Sequence, residues 1–181
     1  MNLLADSTPY TPNLIAHADK ASVADVVHGS RQPVSHSYLK FRLGSHGLLL
    51  PIHQVAETVT ISPHSISPAP NMPPTMLGLV NYQNQMLWVT DLARLLGLVT
   101  SPRLGRSCNL VLLRFKHVLL GLRVQEIGEV LTISPTQLQV APAQVPATLV
   151  PFLQGCFQQG EEVLLVLDAK SVLQAPILRP R

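Results

Sequence analysis

Short apolar runs separated by turn residues dominate the chain from residue 37 onward. Residues 38–43 and 48–50 flank a turn at 44–47, and residues 57–61 are followed by Ser62-Pro63. Runs of apolar and β-branched residues bounded by Gly, Pro, Asn or Ser are typical of β-strands. The pattern therefore predicts short strands joined by tight turns.

A second pair of predicted strands leads into a short helix. Residues 77–82 and 86–90 follow a proline-rich loop and enclose a turn at 83–85, and Asp91 comes directly afterwards. Because Asp accepts hydrogen bonds from the free N–H groups of a first helical turn, Asp91 is predicted to cap a helix over 92–96. Gly97 suits the left-handed conformation at which a helix ends.

The second half of the chain repeats this order. VAETVTISP at 55–63 aligns without a gap with IGEVLTISP at 127–135. Further on, after a short insertion in the second half, Gly78 aligns with Gly155 and Asp91 with Asp168. The insertion falls in the proline-rich loops, where changes of length are tolerated.

This duplication predicts a mainly β fold. Two units of about 70 residues, each with about five strands and one short helix, are expected to form two small barrels. A unit of that size is marginal alone, so the barrels are predicted to share a core. The predicted organisation is a flexible arm at 1–36, a domain at 37–175 with subdomains at about 37–97 and 107–175, and a tail at 176–181.

The low charge of the chain suggests a surface that partners cover. Charged residues make up 13% of the 181 residues, against a usual share of about 25%. The net charge is +3 and the basic residues are scattered, which does not favour nucleic-acid binding. With no basic leader, no apolar run of ~20 residues and no CxxC spacing, the chain is expected to be cytoplasmic and not inserted in a membrane.

The polar residues form no recognisable catalytic motif. Asp91 and Asp168 occupy equivalent positions before helices, where capping accounts for both. The sequence contains no GxSxG and no glycine-rich phosphate loop. Cys108 and Cys156 lie in or beside predicted strands, where buried, unreactive thiols are common. The chain is therefore predicted to be non-catalytic, with no cofactor and no metal site.

Residues 76–92, MLGLVNYQNQMLWVTDL, resemble the signature of the CheW family, which runs roughly G-[VI]-[IV]-N-x-R-G, then an apolar strand and D-L. FRLG at 41–44, LLGLRV at 119–124 and IGEV at 127–130 fit the same family. The resemblance implies two five-stranded SH3-like barrels. It also implies a non-catalytic adaptor in a bacterial signalling array, coupling the regulatory domain of a CheA-type histidine kinase to a methyl-accepting chemoreceptor or a photoreceptor.

The resemblance also indicates the candidate partner-binding residues, which are Val55, Glu57, Leu77, Gly78, Asn81 and Gln83. Gly78 on a strand would let another backbone approach closely. An exposed Val55 beside Glu57 would offer an apolar contact with a polar rim. Val55→Asp or Gly78→Asp is therefore expected to abolish partner binding while leaving thermal unfolding nearly unchanged.

One departure from the signature leaves two functions open. Gln83-Asn84 replaces the family's Arg-Gly, which removes a charge-assisted hydrogen bond to a receptor acid worth roughly 1.5–3 kcal/mol. Asn84 still tolerates a left-handed turn. The alternative function is a single-partner regulator that binds or sequesters the kinase without receptor coupling. Asn81-Tyr82 and Trp88 resemble variants that serve type IV pilus motility or phototaxis.

Overall fold

The computed structural model describes residues 35–99 and 106–178, apart from the side chain of Ile177. The strands are β1 His36–Leu43, β2 His46–Pro51, β3 Val55–Ile61, β4 Met76–Tyr82, β5 Gln85–Asp91, β6 Cys108–Phe115, β7 Val118–Val124, β8 Glu126–Ile133, β9 Leu153–Gln159 and β10 Glu162–Leu167. The α-helices are α1 Leu92–Leu95 and α2 Ala169–Leu173. Short 3-10 helices cover Ile52–Gln54, Pro63–Ser65, Pro135–Gln137, Val150–Phe152 and Pro176–Leu178.

Regular structure continues for a few residues on either side of the predicted domain at 37–175. The arm predicted at 1–36 lies outside the described residues except for Ser35 and His36, and His36 already belongs to β1. Within the tail predicted at 176–181, the segment Pro176–Leu178 forms a 3-10 helix, and Leu178 packs against the largest apolar cluster. This part of the predicted tail is therefore folded, because it carries an apolar side chain that the core takes up.

The ten strands form two five-stranded sheets, and each sheet combines strands from both halves of the chain. Sheet A has the order β8-β1-β2-β10-β9, and sheet B has the order β3-β6-β7-β5-β4. The parallel pairs β2–β10 and β5–β7 join different halves, as do the antiparallel pairs β1–β8 and β3–β6. The predicted subdomains at about 37–97 and 107–175 are therefore repeat units of the sequence, whereas the sheets exchange strands between them.

Strands in the middle of each sheet bury side chains on both faces. On β2, Leu48 and Leu50 belong to the largest cluster, which we call the main core, whereas Leu49 belongs to a second cluster, the sheet-A core. Strands β6, β7 and β10 divide their apolar residues in the same way, with β6 and β7 contributing to a third cluster, the sheet-B core. Since successive side chains point to opposite faces, a strand buried on both faces needs an unbroken apolar run.

Asp91 and Asp168 cap the two α-helices, which confirms the prediction made for both. The Asp91 side chain accepts a hydrogen bond from the backbone N–H of Arg94 at 3.2 Å. The Asp168 side chain accepts hydrogen bonds from the backbone N–H groups of Lys170 at 3.3 Å and Ser171 at 3.1 Å. Both repeats therefore change from strand to helix at the equivalent residue, for the same chemical reason.

Candidate partner-binding surface

All six predicted partner-binding residues lie on sheet B, at its two edge strands. Strand β3 at one edge carries Val55 and Glu57, strand β4 at the other edge carries Leu77, Gly78 and Asn81, and the turn after β4 carries Gln83. Each edge strand has one neighbour in the sheet order, and the other side of β4 pairs at Leu79 with Ser67 of the same chain. The six residues nevertheless differ in what they contact.

A β-bulge in β3 separates the side chains of Val55 and Glu57. The register with β6 shifts between these two residues, so that Ala56 is the extra residue. Val55 is half-buried against the main core, whereas Glu57 shares a face with Val59, which packs against the sheet-B core. Val55 is thus less accessible than the exposed position predicted for it, because the bulge turns it toward the main core.

Tyr82 brings Glu57 and Gln83 together. The Tyr82 hydroxyl donates a hydrogen bond of 2.5 Å to Oε2 of Glu57. The side-chain amide of Gln83 donates a hydrogen bond of 3.0 Å from Nε2 to the Tyr82 oxygen. Because β3 and β4 are the two edges of sheet B, these bonds join one edge to the other. We call Glu57, Tyr82 and Gln83 the polar link.

The polar link has a defined direction from donor to acceptor. The hydrogen bond to Glu57, with burial and the negative charge of Glu57 adding to it, raises the pKa of Tyr82 above its ordinary 10.0, while the bond from Gln83 acts in the opposite sense. Tyr82 is therefore a protonated donor across the neutral range. The Glu57 carboxylate is exposed, and one bond to Oε2 leaves most of its roughly four acceptor sites available.

The turn that carries Gln83 is a tight two-residue hairpin. Gln83 has φ 49° and Asn84 has φ 61°, between the paired residues Tyr82 and Gln85. Positive φ at both central positions defines a type I′ turn, whose twist matches that of the strands it joins. Asn84 adopts the left-handed conformation expected of it, and Gln83 adopts it as well, with its side chain held by Tyr82.

Gly78 is buried beneath a loop of the same chain. Its φ is 139°, and a Cβ atom at this position would overlap the carbonyl oxygen of Ser67. Ser67 and Leu79 exchange two backbone hydrogen bonds of 2.8 and 2.9 Å, which hold the loop in place. The backbone that approaches Gly78 is therefore that of Ser67. The expectation that Gly78→Asp leaves thermal unfolding unchanged is wrong, because no side chain fits there.

Leu77 and Asn81 differ in their exposure. Leu77 lies at a register shift of β4, between Met76 and Gly78, and packs half-buried against the sheet-B core. Asn81 is exposed and faces Met86 on the neighbouring strand β5. Of the residues predicted on β4, Asn81 is thus the one whose side chain is presented to the surface.

Two exposed apolar residues near Asn81 were not among the predicted site residues. Met86 is 63% exposed and Val118, at the start of the adjacent strand β7, is 52% exposed. Successive side chains of a strand point to opposite faces. Because Leu87 and Val89 point into the sheet-B core, the alternation along β5 indicates that Met86 points away from it. Tyr82 was also missed, since nothing in the sequence shows that β3 and β4 approach each other.

Asp91, Cys108 and Cys156 have surroundings that suit a structural role. Asp91 lies 3.5 Å from Nη1 of Arg123 and 3.8 Å from Nε of Arg94. Burial raises the pKa of the thiols of Cys108 and Cys156, which lowers the fraction of reactive thiolate.

Within residues 35–99 and 106–178, no group of three or more His, Cys, Asp or Glu side chains could hold a metal ion. Over the same residues, no helix has the length and hydropathy needed to cross a membrane.

Comparison with known proteins identifies the family. The CheW-like domain matches residues 37–176, so the chain belongs to the CheW-like domain family. Among solved structures, the crystal structure of the scaffolding protein TtCheW from Thermoanaerobacter tengcongensis has the same fold, with a TM-score of 0.70 and 18% sequence identity. The match covers 81% of this chain and 97% of TtCheW. No curated protein sequence matches the chain.

Proposed function

We propose that this chain is a non-catalytic adaptor that couples a CheA-type histidine kinase to a chemoreceptor or photoreceptor. The observation that carries the proposal is the CheW-like domain over residues 37–176, which spans nearly all of both sheets. The likeness in fold to a protein described as a scaffold supports the same interpretation. The adaptor would act in the cytoplasm, at an array of membrane receptors that its partners anchor.

The proposed binding surface is the exposed part of sheet B. Met86 and Val118 supply apolar area, with Asn81 opposite Met86, on the face of sheet B that points away from the sheet-B core. Glu57 and Gln83 supply polar groups where the two edges are joined, and Glu57 shares the other face with Val59. Apolar area with polar groups at its border is typical of protein interfaces. The other three candidate residues are proposed to act indirectly, by fixing the shape of the two edge strands. The side chains of Val55 and Leu77 pack against the apolar clusters, and Gly78 is covered by a loop.

A second function is favoured by one observation at the same surface. Gln83 carries no charge and its amide is engaged with Tyr82, whereas the resembling signature has Arg at this position. An uncharged residue there forms no ion pair with an acidic receptor group, and no bidentate guanidinium–carboxylate contact. The alternative is therefore a regulator that binds the kinase regulatory domain alone. The resemblance of Asn81-Tyr82 and Trp88 to type IV pilus and phototaxis variants extends either proposal to surface motility or light responses.

Affinity purification from the native cell tests both functions. The tagged chain would be recovered from lysate, and the proteins bound to it identified by mass spectrometry. Recovery of a CheA-type kinase together with a receptor is the result expected of the adaptor, and recovery of the kinase without a receptor favours the regulator. If the chain recovers neither, and purified kinase regulatory domain and receptor tip also fail to bind it, both functions are wrong.

A further inference from the structure

The polar link is present in one of the two repeats. When the two halves of the chain are aligned, Glu57 corresponds to Glu129 on β8, whereas Tyr82 and Gln83 correspond to Gln159 and Gly160. Gln159 accepts a hydrogen bond from Lys40 instead. At the equivalent position, sheet A therefore has a bond from a cation, whereas sheet B has a bond between a tyrosine and an exposed carboxylate.

In sheet A, two cations neutralise Glu162. Glu162 pairs with Lys40 at 2.7 Å and with Arg42 at 3.1 Å. The Glu57 carboxylate has a different setting, since its bonded partner is the neutral hydroxyl of Tyr82, which itself accepts from the neutral amide of Gln83. The bonds orient Glu57 and leave its negative charge in place at an exposed edge strand.

We infer that Tyr82 is a positioning residue that holds Glu57 to receive a Lys or Arg side chain of the kinase regulatory domain, and that Gln83 keeps this charge available. The inference rests on the proposed function, and the kinase is the partner that both proposed functions share. A carboxylate fixed before binding loses less side-chain freedom on association, so its hydrogen bond to a cation contributes more to affinity.

The sharpest test replaces Gln83 with arginine, the residue that the CheW signature has at this position. The Gln83 amide already lies 3.0 Å from the Tyr82 oxygen, which lies 2.5 Å from the Glu57 carboxylate. A guanidinium at this position would therefore reach Glu57 and pair with it inside the chain. Gln83→Arg is expected to weaken kinase binding by about tenfold, because the partner's cation then competes with an internal one. The CheW signature has Arg at this position, so the signature alone would predict that Gln83→Arg improves partner binding.

Two further variants separate charge from position. Glu57→Gln keeps an acceptor for Tyr82 and removes the charge, and it is expected to weaken binding about tenfold and flatten its dependence on ionic strength. Tyr82→Phe keeps the charge and removes the positioning bond, and it is expected to weaken binding roughly three- to tenfold with the dependence on ionic strength retained. Because Tyr82 acts through Glu57, the double variant should bind about as well as Glu57→Gln alone.

The experiment measures the Kd of the full chain and its variants for the purified kinase regulatory domain at several salt concentrations, with thermal unfolding as a check on folding. Glu129→Gln is the matched control, since it removes the equivalent exposed carboxylate of the other repeat, and it should bind as the unaltered chain does. If the unaltered chain itself fails to bind, the proposed function is at fault. If it binds, but Gln83→Arg binds more tightly, or Glu57→Gln or Tyr82→Phe binds equally well, the inference is overturned.

Discussion

The carbonyl oxygen of Ser67 occupies the space in which a side chain of Gly78 would begin. The other repeat has the same relationship, since a Cβ atom at Gly155 would lie 2.6 Å from the carbonyl oxygen of Gln139. Gln139 and Cys156 also exchange two backbone hydrogen bonds of 2.8 Å. In each repeat a loop therefore crosses the equivalent strand, β4 or β9, at a glycine. A side chain at that position would clash with the loop.

Gly78→Ala is expected to destabilise the fold by about 2–4 kcal/mol, because it combines a backbone clash with a left-handed φ. Two other glycines separate these causes. Gly155→Ala has the clash and should cost less, and Gly160→Ala has φ 60° with nothing within 4 Å and should cost about 1 kcal/mol. Urea unfolding of the three variants measures the order, and a Gly78→Ala variant as stable as the unaltered chain would show that the loop moves aside freely.

Neither repeat unit is expected to fold alone. Residues 37–97 lack the β6 and β7 strands that separate β3 from β5 in sheet B, and residues 107–175 lack the β1 and β2 strands that separate β8 from β10 in sheet A. Each fragment should therefore show a poorly dispersed NMR spectrum and no cooperative unfolding, whereas residues 35–178 should show both dispersion and cooperativity. Cooperative unfolding of either fragment alone would contradict the exchange of strands.

Asp91→Ala is expected to lower the free energy of unfolding by about 1–2 kcal/mol. The variant loses the helix cap at Arg94 and the ion pair to Arg123, and a lost cap alone costs typically about 1 kcal/mol. Chemical denaturation measures the change, and Glu129→Ala on an exposed part of β8 is the control, with an expected change within about 0.5 kcal/mol. Unaltered stability together with weakened kinase binding would assign Asp91 to the interface instead.

The stability contributed by Asp168 should depend on pH in the acidic range. Burial would raise the pKa of Asp168, but hydrogen bonds from Ser171, Gln154 and Lys170 together hold it below the ordinary value of 3.8. A group with a lowered folded-state pKa stabilises the fold fully above its unfolded-state pKa and loses that contribution as the pH falls through the folded-state value.

The difference in unfolding free energy between the unaltered chain and Asp168→Asn should therefore be constant at neutral pH and shrink as the pH falls below 3.8. Denaturation series from neutral pH into this acidic range measure it. A difference that grows toward acid pH would mean that the hydrogen bonds do not favour the charged carboxylate. Glu162→Gln serves as a second example, since the pKa of Glu162 is also lowered, first by its hydrogen bond from Lys40.

Most of the strands could be predicted from the sequence because their signal is local. Alternation, turn residues and an Asp that caps a helix depend on neighbours within a few positions. Because the sequence is duplicated, the same pattern occurs in both halves and supports each assignment a second time. The apolar run at Leu48–Leu50 was visible for the same reason, although its division between two cores was not, since that depends on what lies against each face.

The sequence by itself determined the ten strands, the two capped helices and the family resemblance from which the candidate partner-binding residues were proposed. Tertiary structure alone decided which strands pair across the halves, and that pairing makes β3 and β4 the edges of one sheet. It also decided that a bulge at Ala56 turns Glu57 away from Val55 and toward Tyr82. The physical reason is range: a strand's own residues fix its alternation, whereas its neighbours are fixed by hydrogen bonds to residues far away in the chain.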